Sequence, residues 1–196
     1  VKILFWGTPQ FAVPSLRALG EEGHDIVGVV TQPDRPAGRG RELRASAVKE
    51  EALDESFRIL EPESARSDDF VEEISGLRVD LSVVVAYGEI LSREVLDVPA
   101  QGSVNLHASL LPALRGAAPI NWSIVRGDMV TGVTVMRMVE QMDAGPILFQ
   151  AEEPIGPEET ASDLRMRLSE IGAEALAEVL VLLEGGVIEE LEQDES

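Results

Sequence analysis

Asn105 and His107 stand two positions apart in Ser103-Val104-Asn105-Leu106-His107, an alternating run that reads as a strand. Side chains two apart on a strand share a face, so both point the same way at the mouth of a sheet. One offers an amide donor and the other a titratable imidazole. That pair suits a reaction in which negative charge builds on an oxygen while protons move. A third group lies downstream in the turn Met142-Asp143-Ala144-Gly145. A carboxylate beside an imidazole favours the charged form of the ring. The expected catalytic set is therefore Asn105, His107 and Asp143.

Neighbouring residues narrow the chemistry. Ser109 lacks the G-x-S-x-G surroundings of a nucleophile and is expected to hydrogen-bond within its turn. Leu110, Leu111 and Pro112 set apolar bulk beside the polar pair, a combination suited to a flat ring system. His24, in Glu22-Gly23-His24-Asp25, reads as a solvated turn residue. Gly7-Thr8-Pro9-Gln10 follows the first strand, where nucleotide-binding folds carry a glycine-rich turn. The G-x-G-x-x-G spacing is absent, which argues against a dehydrogenase.

The elements that must position these groups follow from periodicity. Lys2–Trp6 reads as a buried strand, Phe11–Leu19 as a helix and Asp25–Thr31 as a second buried strand. This β-α-β opening favours a parallel sheet with helices on both faces. Gln32–Arg44 reads as an irregular loop, because Pro33, Pro36, Gly38 and Gly40 oppose regular structure. Helices are expected at Ser46–Leu53, Ser67–Ser75, Pro119–Val125 and Thr160–Glu184, with Ser46, Ser67 and Thr160 as caps. Strands are expected at Phe57–Leu60, Leu81–Tyr87, Val133–Met138 and Ile147–Glu153, and Glu189–Ser196 is expected to fray.

Composition sets outer bounds. The 196 residues suffice for one domain with a proper core, and 44% hydrophobic with 27% charged is ordinary for a globular chain. The sequence contains no cysteine, which excludes disulfides, thiolate metal sites and a cysteine nucleophile; two histidines argue against a multi-histidine metal site. No stretch approaches a membrane span, and a cytoplasmic location is expected. The formal net charge of −20 repels nucleic acid and membrane surfaces on average. Against that field, Arg35, Arg39, Arg41 and Arg44 form one concentrated positive stretch, and arginines on a Gly/Pro scaffold can grip phosphates.

Three stretches resemble the folate-dependent formyltransferases, over the chain from the first strand to about Gly185. Asn105–Pro112, continued by Arg115-Gly116-Ala117-Ala118-Pro119-Ile120, resembles their core signature, and Met142–Gly145 resembles their aspartate turn. Thr31–Gly40 resembles the arginine-bearing loop of the tRNA-modifying branch, the methionyl-tRNA formyltransferase family, and narrows the resemblance to its catalytic half. The resemblance implies an α/β three-layer sandwich with a mostly parallel, Rossmann-like mixed sheet. It implies formyl transfer from 10-formyltetrahydrofolate, without a metal, to the α-amino group of methionyl initiator tRNA. Asn105 and protonated His107 would steady the oxyanion, and Asp143 would hold His107 and relay the proton.

By the same resemblance the folate should meet Tyr87, Gly88, Glu89, Ile90, Leu91, Ser109, Leu110, Leu111, Pro112, Met138 and Val139. Arg35, Arg39 and Arg41 should meet the acceptor end of the tRNA, with Thr8 and Phe11 beside the methionyl group. Residues 1–186 would form the catalytic domain, and 187–196 the acidic start of a linker or tail. The family adds a basic, tRNA-binding β-barrel after that linker, and this sequence stops before one. A monomer with weak tRNA binding is expected. The usual Ser-Pro pair after the arginine loop stands here as Ser46-Ala47. Two alternatives remain: a formyltransferase for a sugar nucleotide or other small amine, and a folate-binding domain inactive without its tRNA-binding module.

Overall fold

The structure, a computed structural model, describes residues 1–37 and 42–194. The chain divides into two compact units, Val1–Ser103 and Val104–Ser196. The first contains β1 (Lys2–Gly7), a 3-10 turn (Gln10–Ala12), α1 (Val13–Glu21), β2 (Asp25–Val30), β3 (Arg35–Ala37) and β4 (Glu42–Arg44). It continues through α2 (Ala47–Asp54), β5 (Ile59–Leu60), α3 (Asp68–Ser75), β6 (Leu81–Val85) and α4 (Arg93–Leu96).

Four of its strands lie side by side in the order β5-β2-β1-β6, every neighbouring pair parallel. The near-continuous apolar runs of β1 and β6 explain this, since a parallel strand is covered on both faces. All five residues of β6 are buried. Trp6 anchors the interior: it is fully buried and meets Phe70 and Tyr87 edge-on, at centroid distances of 5.9 and 5.2 Å. Its indole N–H donates to Ser82 Oγ at 3.2 Å, which satisfies the polar end of the ring.

Two local expectations need correction here. Residues 35–37 and 42–44 pair as an antiparallel two-stranded sheet, with Arg35 opposite Arg44 and Pro36 opposite Leu43. Proline is tolerated there because a two-stranded sheet is all edge. Ser67 occupies the N-cap of α3, but its side chain makes no capping bond; Asp68 and Asp69 do fill the first turn, where carboxylates are favoured. By contrast Ser46 Oγ accepts from Lys49 N at 3.0 Å and caps α2.

The second unit contains β7 (Ser103–His107), α5 (Pro119–Arg126), β8 (Val130–Arg137), β9 (Ile147–Pro154) and α6 (Ala161–Glu184). Its strands run antiparallel in the order β7-β8-β9. Thr160 and Asp163 form a complete capping box at the start of α6. Leu164, Leu168, Leu176, Val179 and Leu180 are buried along this helix, which packs on β8 and β9. Gly172 permits the close approach, for a Cβ there would stand 2.5 Å from Leu106 Cδ2. On the outer side of α5, Trp122 is half exposed.

The expected fraying after Glu189 is also corrected. Leu191 pairs with Ile147 through two backbone hydrogen bonds of 2.7 and 2.9 Å, and Glu190 accepts from Arg137 Nε at 2.8 Å. The edge of β9 supplies partners that no local pattern in an acidic tail announces. Among the described residues, no helix is long and apolar enough to cross a membrane.

Candidate active site

The site of the second unit grows from the end of β7. The register sets Asn105 opposite Met136 and His107 opposite Thr134 on β8, so both polar residues share one strand face. His107 is buried, and its Nε2 lies 3.0 Å from the Leu114 carbonyl oxygen. A carbonyl oxygen only accepts, so Nε2 carries the proton and donates. Nδ1 then faces Asp143 Oδ2 at 3.7 Å, with the two side chains 8% and 16% exposed. The same carboxylate oxygen accepts from Gly116 N at 2.8 Å. Asn105 is half-buried, and its carboxamide makes no hydrogen bond among the described residues.

The loop after β7 is held by side chains of β8 and β9. Thr134 Oγ1 donates to Ser109 O at 2.7 Å and accepts from Leu111 N at 3.1 Å. Gln150 Nε2 reaches Leu111 O and Thr134 Oγ1, each at 2.9 Å. Ser109 Oγ donates to Ala113 O at 2.6 Å, so its hydroxyl is engaged in the turn. The Leu111–Pro112 peptide is cis, and Leu114, Gly116 and Ala118 have φ of +58°, +87° and +56°. Leu111 is buried and Leu110 half-buried beside the polar pair, while Pro112 is exposed. Met138 and Val139 begin the connection from β8 that carries Asp143, and Val139 is 42% exposed. Gly145 is dictated by contact, since a Cβ there would strike the Arg137 carbonyl.

In the first unit, Thr8 Oγ1 donates to Tyr87 O at 2.7 Å, which ties the turn after β1 to the segment after β6. Tyr87 is buried, and among the described residues neither its hydroxyl nor the Gln32 amide nitrogen meets a hydrogen-bond partner. Burial pushes the phenol up to about 12, and the Glu89 carboxylate adds to this. Gly88 has a φ of +95°, Glu89 Oε2 accepts from Ala65 N at 3.4 Å, and the Ile90 carbonyl accepts from Arg66 Nε at 3.0 Å. Leu91 and Phe11 are buried in the interior of the unit. Arg35 donates to Gln32 Oε1 at 2.8 Å, while Arg39 and Arg41 lie outside the described residues.

The family model described as "Formyl transferase" matches residues 1–180. The chain belongs to the formyl transferase family. Among curated relatives, it is 48% identical over 196 residues to a methionyl-tRNA formyltransferase of Moorella thermoacetica, covering 100% of this chain and 63% of that protein. It is 52% identical over 186 residues to one of Symbiobacterium thermophilum, covering 95% and 57%. The chain thus spans less than two thirds of the length of these relatives.

Solved structures share its fold. A phosphoribosylglycinamide formyltransferase of Anaplasma phagocytophilum superposes with a TM-score of 0.81 at 18% identity, covering 100% of this chain and 96% of the other. An N-formyltransferase of Helicobacter canadensis, in complex with folinic acid and dTDP-3-aminofucose, gives 0.73 at 19%, covering 100% and 68%. The fold is therefore the α/β three-layer sandwich with a mostly parallel mixed sheet that the sequence predicts.

Several residues around this candidate site escape a sequence reading. Thr134 and Gln150 hold the loop but sit on β8 and β9, and neither belongs to a recognisable motif. Strand alternation offered one signal, because Thr134 is a polar residue on a buried face, 0% exposed. A cavity of about 230 Å³ opens beside the loop, lined by Leu114, Arg115, Ala117, Trp122 and Arg126.

Proposed function

We propose that this chain is the catalytic part of an enzyme that transfers a formyl group from 10-formyltetrahydrofolate to the α-amino group of methionyl initiator tRNA. The observation that carries the reading is the approach of Asp143 to His107 at 3.7 Å, with Asn105 on the same strand face as His107. Identities of 46 to 52% to methionyl-tRNA formyltransferases support the same reading. The residues present suit the folate. The Asn105 carboxamide, which makes no hydrogen bond among the described residues, suits the formyl oxygen, and Leu110 and Leu111 give apolar bulk for a ring.

The folate supplies the formyl group. Asn105 donates its amide N–H to the formyl oxygen as the incoming amine forms the new C–N bond and that oxygen gains negative charge. His107, with one nitrogen committed to Leu114 O, presents the other edge of its ring toward Asp143 and the reacting centre. Asp143 accepts the proton released by the amine, directly or through water, and returns it to the folate nitrogen as the old C–N bond breaks. Such donors act on charge that develops only in the transition state, which is why they raise turnover. Tyr87–Leu91, Ser109–Pro112, Met138 and Val139 are assigned to the folate. Arg35, Arg39 and Arg41 are assigned to the tRNA, and Thr8 and Phe11 to the methionyl group. The Trp122–Arg126 lining supports a nucleic-acid acceptor, because an aromatic face stacks on a base and arginine pairs with phosphate. The reaction belongs to the cytoplasm, where initiator tRNA is used.

Transfer of labelled formyl tests the reading, with methionyl-tRNA and a sugar amine offered as competing acceptors. Label should pass to methionyl-tRNA in the unsubstituted chain and fail in Asn105→Ala and Asp143→Ala. Undiminished transfer in both variants removes the site assignment, and preference for the sugar amine replaces the acceptor.

A further inference from the structure

The stretch after α6 brings one more side chain to this site. Gln193 Nε2 donates to Asp143 O at 2.9 Å and to Gly145 O at 2.8 Å. Its Oε1 accepts from Arg115 Nε at 2.9 Å and from Arg115 Nη2 at 2.6 Å. Arg115 adjoins Gly116, whose N–H holds Asp143 Oδ2 at 2.8 Å. Gln193, Arg115, Gly116 and Asp143 thus close a ring of contacts around the carboxylate that faces His107. The backbone bonds between Leu191 and Ile147 and the Glu190–Arg137 ion pair bring Gln193 to this place.

Two features make the ring more than packing. Asp143 has a φ of +50°, a left-handed conformation that survives in a non-glycine residue when its surroundings hold it. The chemistry of the ring also selects glutamine. The two carbonyls only accept and the guanidinium only donates, so the residue between them needs a donor at one end and an acceptor at the other. A glutamate offers no donor to the carbonyls, and a lysine offers no acceptor to Arg115.

We propose that Gln193 is a positioning residue, which fixes the Asp143 turn so that its carboxylate meets His107. The proposal rests on the reading of Asp143 as the acid of the site. Its test measures 10-formyltetrahydrofolate turnover and amide hydrogen exchange in Gln193→Ala, Gln193→Glu, Asp143→Asn and the double variant Gln193→Ala/Asp143→Asn. Both Gln193 variants should lose about 10- to 100-fold in kcat, the scale of a misplaced catalytic group. KM for the formyl donor should stay within about twofold, since ground-state binding is untouched. The double variant should fall no lower than Asp143→Asn alone, because the two residues act through one group. The Gly116 and Ala144 amides should exchange faster in both Gln193 variants.

Unchanged kcat, a matching rise in KM, or losses that add in the double variant would overturn the proposal. Gln193→Glu keeps the side chain's size and its acceptor toward Arg115, so it decides the matter where Gln193→Ala fails to fold. An unsubstituted chain that turns over no donor sinks the formyl-transfer reading instead. Exchange at Gly116 and Ala144 still judges the clamp in that case, and unchanged rates reject it.

Discussion

Asn105 and Thr134 should fail in opposite ways when truncated, and the structure supplies the magnitudes. The Asn105 carboxamide makes no hydrogen bond among the described residues, so Asn105→Ala strands no buried partner. Its stability cost should stay within about 1 kcal/mol. If the carboxamide holds the oxyanion, its loss should lower kcat by about 100- to 1,000-fold. Thr134 is fully buried and bonds Ser109 O, Leu111 N and Gln150 Nε2. Thr134→Val leaves two backbone groups of the loop unpaired while Gln150 keeps Leu111 O. At about 1–3 kcal/mol for each unsatisfied buried group, the loss should be about 2–6 kcal/mol. Urea unfolding followed by tryptophan emission measures the stability, and donor turnover on the same samples measures the rate. A stable, inactive Asn105→Ala beside a destabilised Thr134→Val is the expected result. An Asn105→Ala enzyme of normal kcat, or one whose lost activity tracks lost stability, refutes the reasoning.

Two further outcomes follow from single side chains. Tyr87 is the sole tyrosine, so phenolate absorbance reports it alone. With its phenol at about 12 in the fold, above the usual value of 10, its contribution to stability is complete below pH 10 and is lost as pH rises from 10 through 12. Phenolate should therefore appear near pH 12 or with unfolding, and a midpoint near 10 in folded protein would contradict the burial argument. Gly145→Ala should destabilise the turn by about 1–3 kcal/mol, because a Cβ drives into the Arg137 carbonyl. It should also lower donor turnover by displacing Asp143; a variant with unaltered melting and rate would show that the backbone can yield there.

Short-range patterns made much of this molecule legible. The β-α-β opening, the shared face of Asn105 and His107, and the Thr160–Asp163 capping box all depend on neighbours within a few residues. The paired 35–37 and 42–44 segments were hidden by prolines and glycines, since a two-stranded edge tolerates what a central strand does not. Ser67 carries the right residue type for a cap and still makes no bond. Thr134, Gln150 and Gln193 support the site from strands and a tail far along the chain, and their partners are mostly backbone groups. Such contacts depend on where the fold brings two distant segments together, and a side-chain motif does not encode that. The acidic composition of the tail suggested solvation, whereas the free edge of β9 gives its backbone a place to bond.

The two tryptophans occupy contrasting surroundings, one in each compact unit. Trp6 is sealed against Phe70 and Tyr87, while Trp122 stands 53% exposed on α5. Each unit therefore carries its own optical probe: blue-shifted emission from the first, quenchable red-shifted emission from the second. A Trp6→Phe protein leaves only the signal of the unit holding Asn105, His107 and Asp143, so melting of that unit can be followed separately. Ligand binding near Arg115 should dim the same signal without disturbing the other.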